Sequence, residues 1–149
     1  MNELNHDEVE LFRRASDVLE SAFHPELHQV AAAARTADGQ VFVGLHIGSR
    51  RINVCAESSA FANAEIAGAG PVVSMVAVCK DEAGRIVVTN PCGVCRELMQ
   101  QYAPDAYVIV DASGHVRSVP SAALIPNPWQ FPRENEWTVE DPATGKERG

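Results

Sequence analysis

Residues 72–79 (Val72, Val73, Ser74, Met75, Val76, Ala77, Val78, Cys79) form a nearly continuous apolar run rich in β-branched side chains. A run this short and this apolar reads as a central strand buried on both faces. Such a strand must be covered by layers on either side. The segments around it supply them.

Upstream, Val9, Phe12, Ser16, Leu19 and Phe23 recur at three- and four-residue steps and mark one face of a helix. His24-Pro25 ends it, because the residue before a proline is disfavoured in helix. Residues 30–35 and 41–46 read as two strands joined at Ala37-Asp38-Gly39, a hairpin in which the glycine takes positive φ. Residues 48–53 form a polar, basic loop, and the Ala-rich stretch 55–67 is a helix closed by Gly68-Ala69-Gly70. Downstream, 86–89 is a short strand. Thr89 or Asn90 caps a helix with Pro91 in its first turn that runs to Tyr102, and Pro104 lies just beyond. Residues 107–110 and 116–119 are strands flanking the Asp111-Ala112-Ser113-Gly114 turn, and 121–124 is a helical turn. The order implies an α/β domain of three layers, αβα, around a mixed sheet of five strands. It occupies residues 1–132 and leaves 133–149 as a polar tail, disordered beyond Glu140.

A chain of 149 residues with 46% hydrophobic content buries a working core without disulfides. Its net charge of −8 argues against a nucleic-acid partner, which needs clustered Lys and Arg, and points to a neutral or cationic small molecule. The acidic, polar start Met1-Asn2-Glu3-Leu4-Asn5-His6 is unlike a secretory signal, and no apolar run approaches the ~20 residues of a membrane span. The expected location is cytoplasmic. There, a Cys-x-x-Cys pair reads as metal or redox chemistry rather than a structural disulfide.

Two short segments carry that chemistry: Cys55-Ala56-Glu57 and Pro91-Cys92-Gly93-Val94-Cys95. Cys92 and Cys95 stand one helical turn apart, and Cys55 opens a different helix, so two helix N-termini can converge on one zinc ion. Three protein thiolates leave a fourth position for water. Glu57, two residues after the first cysteine, is placed to move protons without binding the metal. Two other readings remain. The Cys-x-x-Cys could be a redox pair, and Cys79 or a histidine could complete a purely structural zinc site. Cys79 ends an apolar run and reads more simply as core.

The arrangement Cys-x-Glu followed by Pro-Cys-x-x-Cys is the zinc deaminase signature. With His28-Gln29-Val30-Ala31-Ala32-Ala33, Arg35-Thr36, His46-Ile47, Arg96-Glu97-Leu98, Tyr102-Ala103-Pro104-Asp105 and Leu124-Ile125-Pro126, it resembles the cytidine deaminase family. The resemblance is to the small, single-domain branch, and within it to the bacterial blasticidin S deaminases, and it covers roughly residues 30–125. It implies hydrolytic deamination of a cytosine-like ring, zinc on Cys55, Cys92 and Cys95, Glu57 as acid–base, and a homotetramer whose neighbouring subunits help close each pocket. His28 stands where that family places an aromatic against the base, to stack on the ring or to serve as a structural residue of its strand. From the residues themselves, Ala56 N–H can face a ring carbonyl, and Trp129 and Phe131 can cover the pocket or form an oligomer contact.

Two positions depart from that family. Its Gly-x-Asn-x-Glu segment grips ribose through the Asn and Glu. Here it reads Gly44-Leu45-His46-Ile47-Gly48, so His46 takes the Asn place and the carboxylate is gone. Arg50 and Arg51 follow in the loop, either to bind an acidic group or simply solvated. A family arginine after the Glu, which moderates the thiolate charge, is replaced by Ser58, and Arg96 could compensate. The expected protein is a zinc aminohydrolase acting on a base, nucleoside or analogue. The alternative from another class is a non-catalytic binding protein that keeps fold and metal.

Overall fold

The computed structural model describes residues 4–136 and Thr138. The expectation of a disordered tail beyond Glu140 falls outside them. Helix α1 (His6–Ala22) starts three residues before the apolar periodicity. A reciprocal capping box sets that start: Asn5 Oδ1 accepts from Glu8 N–H at 2.8 Å and Glu8 Oε1 from Asn5 N–H at 2.9 Å. Strands β1 (Val30–Thr36) and β2 (Val41–Leu45) form the expected hairpin, with Gly39 at φ +88°. Two short strands, β3 (Ile47–Gly48) and β4 (Asn53–Val54), pair in a small hairpin of their own and correct the expectation of a plain loop there. Helix α2 (Ala56–Ile66) is followed by β5 (Val72–Lys80), β6 (Ile86–Val88), α3 (Gly93–Tyr102), β7 (Tyr107–Ala112) and β8 (His115–Pro120).

The main sheet runs β2-β1-β5-β7-β8, the five strands expected, and β6 adds a sixth by pairing with the C-terminal end of β5. β5 lies antiparallel to β1 and parallel to β7, so the sheet is mixed. The parallel step needs a crossover, and α3 supplies it. Alternation along the strands sends side chains to two cores. Ala31, Ala33, Val76, Val78 and Ile109 pack under α1 with Leu11, Ala15 and Leu19. Ala32, Ala34, Met75, Ala77, Val108 and Val110 pack under α2 and α3 with Ala60, Phe61, Cys95 and Met99. The three layers are α1, the sheet, and α2 with α3.

Small residues let α2 approach the sheet closely. A Cβ on Gly44 would collide with the Ala56 carbonyl and the Ala60 backbone nitrogen, and would lie 3.0 Å from Ser59 Cβ. Asn63 Nδ2 donates to the Val43 carbonyl at 2.7 Å, and Leu45 N–H donates to Ser59 Oγ at 3.3 Å, so α2 also satisfies the free edge of β2. Because backbone atoms rather than a flexible side chain block the space, Gly44→Ala should cost about 3 kcal/mol, the upper end of overpacking. Urea unfolding measures this, and a loss below about 1 kcal/mol would show that α2 slides freely.

Helix α2 ends at Gly68, whose φ of +63° lets Ala69 N–H reach back to the Ala64 carbonyl at 3.3 Å. Helix α3 starts later than expected. Cys92, not Thr89 or Asn90, is its N-cap. Asn90 is engaged elsewhere: its Nδ2 donates to the Asp111 carbonyl at 3.0 Å and its Oδ1 accepts Asp111 N–H at 2.8 Å. That brace ties the segment before α3 to β7.

Candidate active site

The N-termini of α2 and α3 converge. Cys55 caps α2 and Cys92 caps α3, both with extended backbone and neither making a side-chain cap hydrogen bond. Cys95, in the first turn of α3, is fully buried. The three Sγ atoms lie within 4.8 Å of one another, with Cys55 and Cys92 sulfurs 3.4 Å apart. Sulfurs held at about 2.3 Å around a tetrahedral zinc stand roughly 3.8 Å apart, so the triad fits that ion. No fourth His, Cys, Asp or Glu joins the group among the described residues, Cys79 included. Three thiols with an open fourth position are the donor set of a reactive rather than a closed structural site.

The thiols differ in acidity. Burial raises the Cys92 pKa, but hydrogen bonds from Cys95 N–H, the Cys55 and Cys95 thiols and Val94 N–H outweigh it and bring the group below its ordinary value. Cys55 is raised by burial and by its bond to Cys92. Cys95 is raised strongly, by burial first and then by the Glu57 carboxylate and the neighbouring sulfurs. Cys92 is therefore the first thiolate, held by the N-terminal N–H groups of α3. A bound cation would favour ionisation of the other two.

Glu57 is 5% exposed in the first turn of α2, with the Cys95 thiol hydrogen-bonded to it. Burial lifts its carboxyl above the usual range, against smaller opposing contributions from its own backbone N–H and from Cys95. Ala56, fully buried, precedes it, and its N–H is one of those at the start of α2 that lack an intrahelical acceptor. Arg96 is tied to two backbone carbonyls rather than to the cysteines. Its Nε donates to the Pro91 carbonyl at 2.9 Å and its Nη1 to the Leu124 carbonyl at 3.1 Å, and it has no acidic partner among the described residues. Ser58 lines a groove with Phe61, Leu98 and Tyr102.

The remaining expected residues make contacts of their own. His28 donates from Nδ1 to the His46 carbonyl at 2.9 Å, which leaves Nε2 as an acceptor. The ring of His46 is buried, with Nδ1 2.9 Å from Gln29 N and Nε2 2.7 Å from Asn53 Oδ1. Both of its nitrogens are thus engaged within the chain. Arg50 and Arg51 stand exposed at the tip of the β3–β4 hairpin. Trp129 is exposed and packs edge-on to Phe131, with ring centroids 4.9 Å apart. Asn53 was not singled out by sequence, because only the folded hairpin brings it to His46.

The fold has solved counterparts. The crystal structure of cytidine deaminase from Burkholderia pseudomallei matches with a TM-score of 0.69 at 28% identity, covering 85% of this chain and 100% of that one. Cytidine deaminase from Bacillus anthracis matches in fold, with a TM-score of 0.69 at 23% identity, over 82% of this chain and 89% of that one. No protein-family model matches. Blasticidin-S deaminase from Bacillus cereus is 33% identical over 129 residues, 83% of this chain and 92% of that protein. The chain belongs to the cytidine deaminase family. Within this family's fold, the cysteine triad and Glu57 occupy the junction of two helices, and the hairpin of β3 and β4 leads directly into Cys55.

Proposed function

We propose that the protein is a zinc-dependent hydrolytic deaminase that releases ammonia from a cytosine-like aminopyrimidine base, nucleoside or analogue. One observation carries this: three thiols within 4.8 Å of one another, with a buried carboxyl beside them. Cys55, Cys92 and Cys95 would hold the zinc, which when bound supplies a water-derived nucleophile near neutral pH. Glu57 accepts the proton of the attacking water and delivers it to the ring nitrogen beside the amino-bearing carbon. It then takes the remaining hydroxyl proton and delivers it to the amino group, which leaves as ammonia as the C–N bond breaks and the ring carbonyl forms. Its raised affinity for a proton suits a group that must accept and return one near neutrality. A protein that only bound its ligand would have no use for a carboxyl held at such a desolvation cost.

Around the ring, His28 offers Nε2 or its face and Ala56 N–H meets a ring carbonyl, while His46, with both nitrogens engaged within the chain, supports the hairpin beside the site. Trp129 closes the pocket, in its own subunit or from a neighbour in a homotetramer. Arg50 and Arg51 are free to meet an acidic substituent. Free thiols as ligands suit a reducing cytoplasm.

Zinc-loaded protein offered cytosine, cytidine and blasticidin S should carry about one zinc per chain, release ammonia, and not favour cytidine, because Gly48 has no carboxylate to hold ribose. Ammonia from none of the three would reject the proposal. A strong preference for cytidine would reject the weight placed on Gly48.

A further inference from the structure

The hydrogen bonds at His46 have a fixed direction. Gln29 N–H, which can only donate, reaches His46 Nδ1 at 2.9 Å, so Nδ1 carries no proton and the ring's hydrogen sits on Nε2. Nε2–H therefore donates to Asn53, and the amide must turn its oxygen inward, 2.7 Å away. Asn53 Nδ2 then points away from the imidazole. It has no hydrogen-bond partner among the described residues, and the residue is exposed.

The backbone sets the face to which the Asn53 side chain projects. Asn53 lies on β4 and Cys55 continues in extended conformation, with φ −66° and ψ 148°. Residues two apart on extended chain project to the same side, with Cα atoms about 6–7 Å apart. Asn53 thus projects its side chain to the same face of the hairpin as Cys55. The same arrangement accounts for Gly48. A Cβ there would lie 3.0 Å from Asn53 Oδ1 and 3.1 Å from both His46 Cε1 and the Glu26 carbonyl, so a side chain at this position would crowd the His46–Asn53 pair.

We propose that Asn53 determines specificity, its Nδ2–H donating to an oxygen acceptor on the substituent carried by the substrate ring, and that His46 is the positioning residue that fixes this orientation. A donor thus stands two residues before Cys55, while a side chain at position 48 would press on the His46–Asn53 pair. This rests on the deaminase reading, and its substrate class is an aminopyrimidine whose substituent bears a hydroxyl or carboxylate oxygen.

The test uses the full-length, zinc-loaded chain with cytosine, which lacks a substituent, and with cytidine and blasticidin S, which have one. Asn53→Ala should raise KM on the preferred substituted substrate about tenfold, the upper end of what one neutral hydrogen bond contributes, and KM on cytosine much less. Asn53→Asp keeps the oxygen for His46 but replaces the donor with an acceptor, and should raise that KM further. His46→Phe should reproduce the Asn53→Ala pattern through KM rather than kcat. An unchanged ratio between the two KM values, or equal losses of kcat on all substrates, overturns the assignment. Imidazole 15N spectra of the wild type give a readout independent of turnover. An Nε2-protonated His46 is expected, and an Nδ1-protonated ring overturns the relay even in an active enzyme. Failure of the wild type on all three substrates, with the Nε2 tautomer present, rejects the deaminase reading and with it the substrate role of Asn53, leaving only the hairpin brace.

Discussion

Glu57→Gln should keep its zinc and lose about 10⁴-fold of its ammonia release, the upper end of what positioned acid–base groups contribute. Glutamine fills the same buried space and can accept the Cys95 thiol hydrogen bond, but it cannot take up a proton. The three thiols that would hold the metal are untouched, so metal analysis and activity should separate. If the variant loses zinc along with activity, Glu57 is a ligand or a support for one. If it keeps activity within about tenfold, the proton shuttle is assigned to the wrong group. Burial also fixes how Glu57 affects the metal-free chain. A carboxyl whose pKa is raised on folding binds its proton more tightly in the folded state. Its contribution is most favourable below the unfolded pKa and declines as pH rises toward and through the folded one. Metal-free Glu57→Gln should therefore resist urea better than metal-free wild type at pH 7. Near the ordinary glutamate pKa, about 4, the two should converge. Equal gaps at both pH values would mean that the glutamine stabilises for another reason.

Much of this centre could be read from the chain because its chemistry is local. Cys55 and Glu57 sit on one helical turn, as do Cys92 and Cys95, and only the meeting of the two pairs required a fold. The strand at 72–79 was visible because a sheet covered on both faces needs apolar side chains on both. What escaped the sequence depended on partners far along the chain. Asn90 has the chemistry of a helix cap, but the Asp111 backbone, 21 residues away, takes its side chain. Strands of two residues, β3 and β4, offer too few positions for alternation to register. Gly44 looked like part of a substrate-binding segment, whereas the folded chain uses it to bring α2 against β2. His46 shows the same limit in chemical form. Sequence gives an imidazole near the pocket, but its proton is assigned only when Gln29 and Asn53 are brought against it.

Cys95→Ser should abolish tight zinc binding and lower the melting temperature of the zinc-grown protein by roughly 8–16 °C. That range is the loss of about 4 kcal/mol, the stabilisation by a ligand at a thousand times its Kd, at the 2–4 °C per kcal/mol expected for a domain of this size. The substitution is informative because the metal-free comparison isolates the cause. Burial holds the Cys95 thiol protonated without a cation, so in the metal-free chain a hydroxyl replaces a thiol of similar shape. Metal-free wild type and metal-free Cys95→Ser should then melt within a few degrees of each other. The large difference should appear only when zinc is returned. Both proteins must be kept reduced, since Cys55 and Cys92 sulfurs only 3.4 Å apart could oxidise once the metal is removed. If the variant melts far below the metal-free wild type, Cys95 is a packing residue of the core first. If zinc raises the melting temperature of the variant as much as that of the wild type, the ion is held without Cys95 and the three-thiol site is wrong.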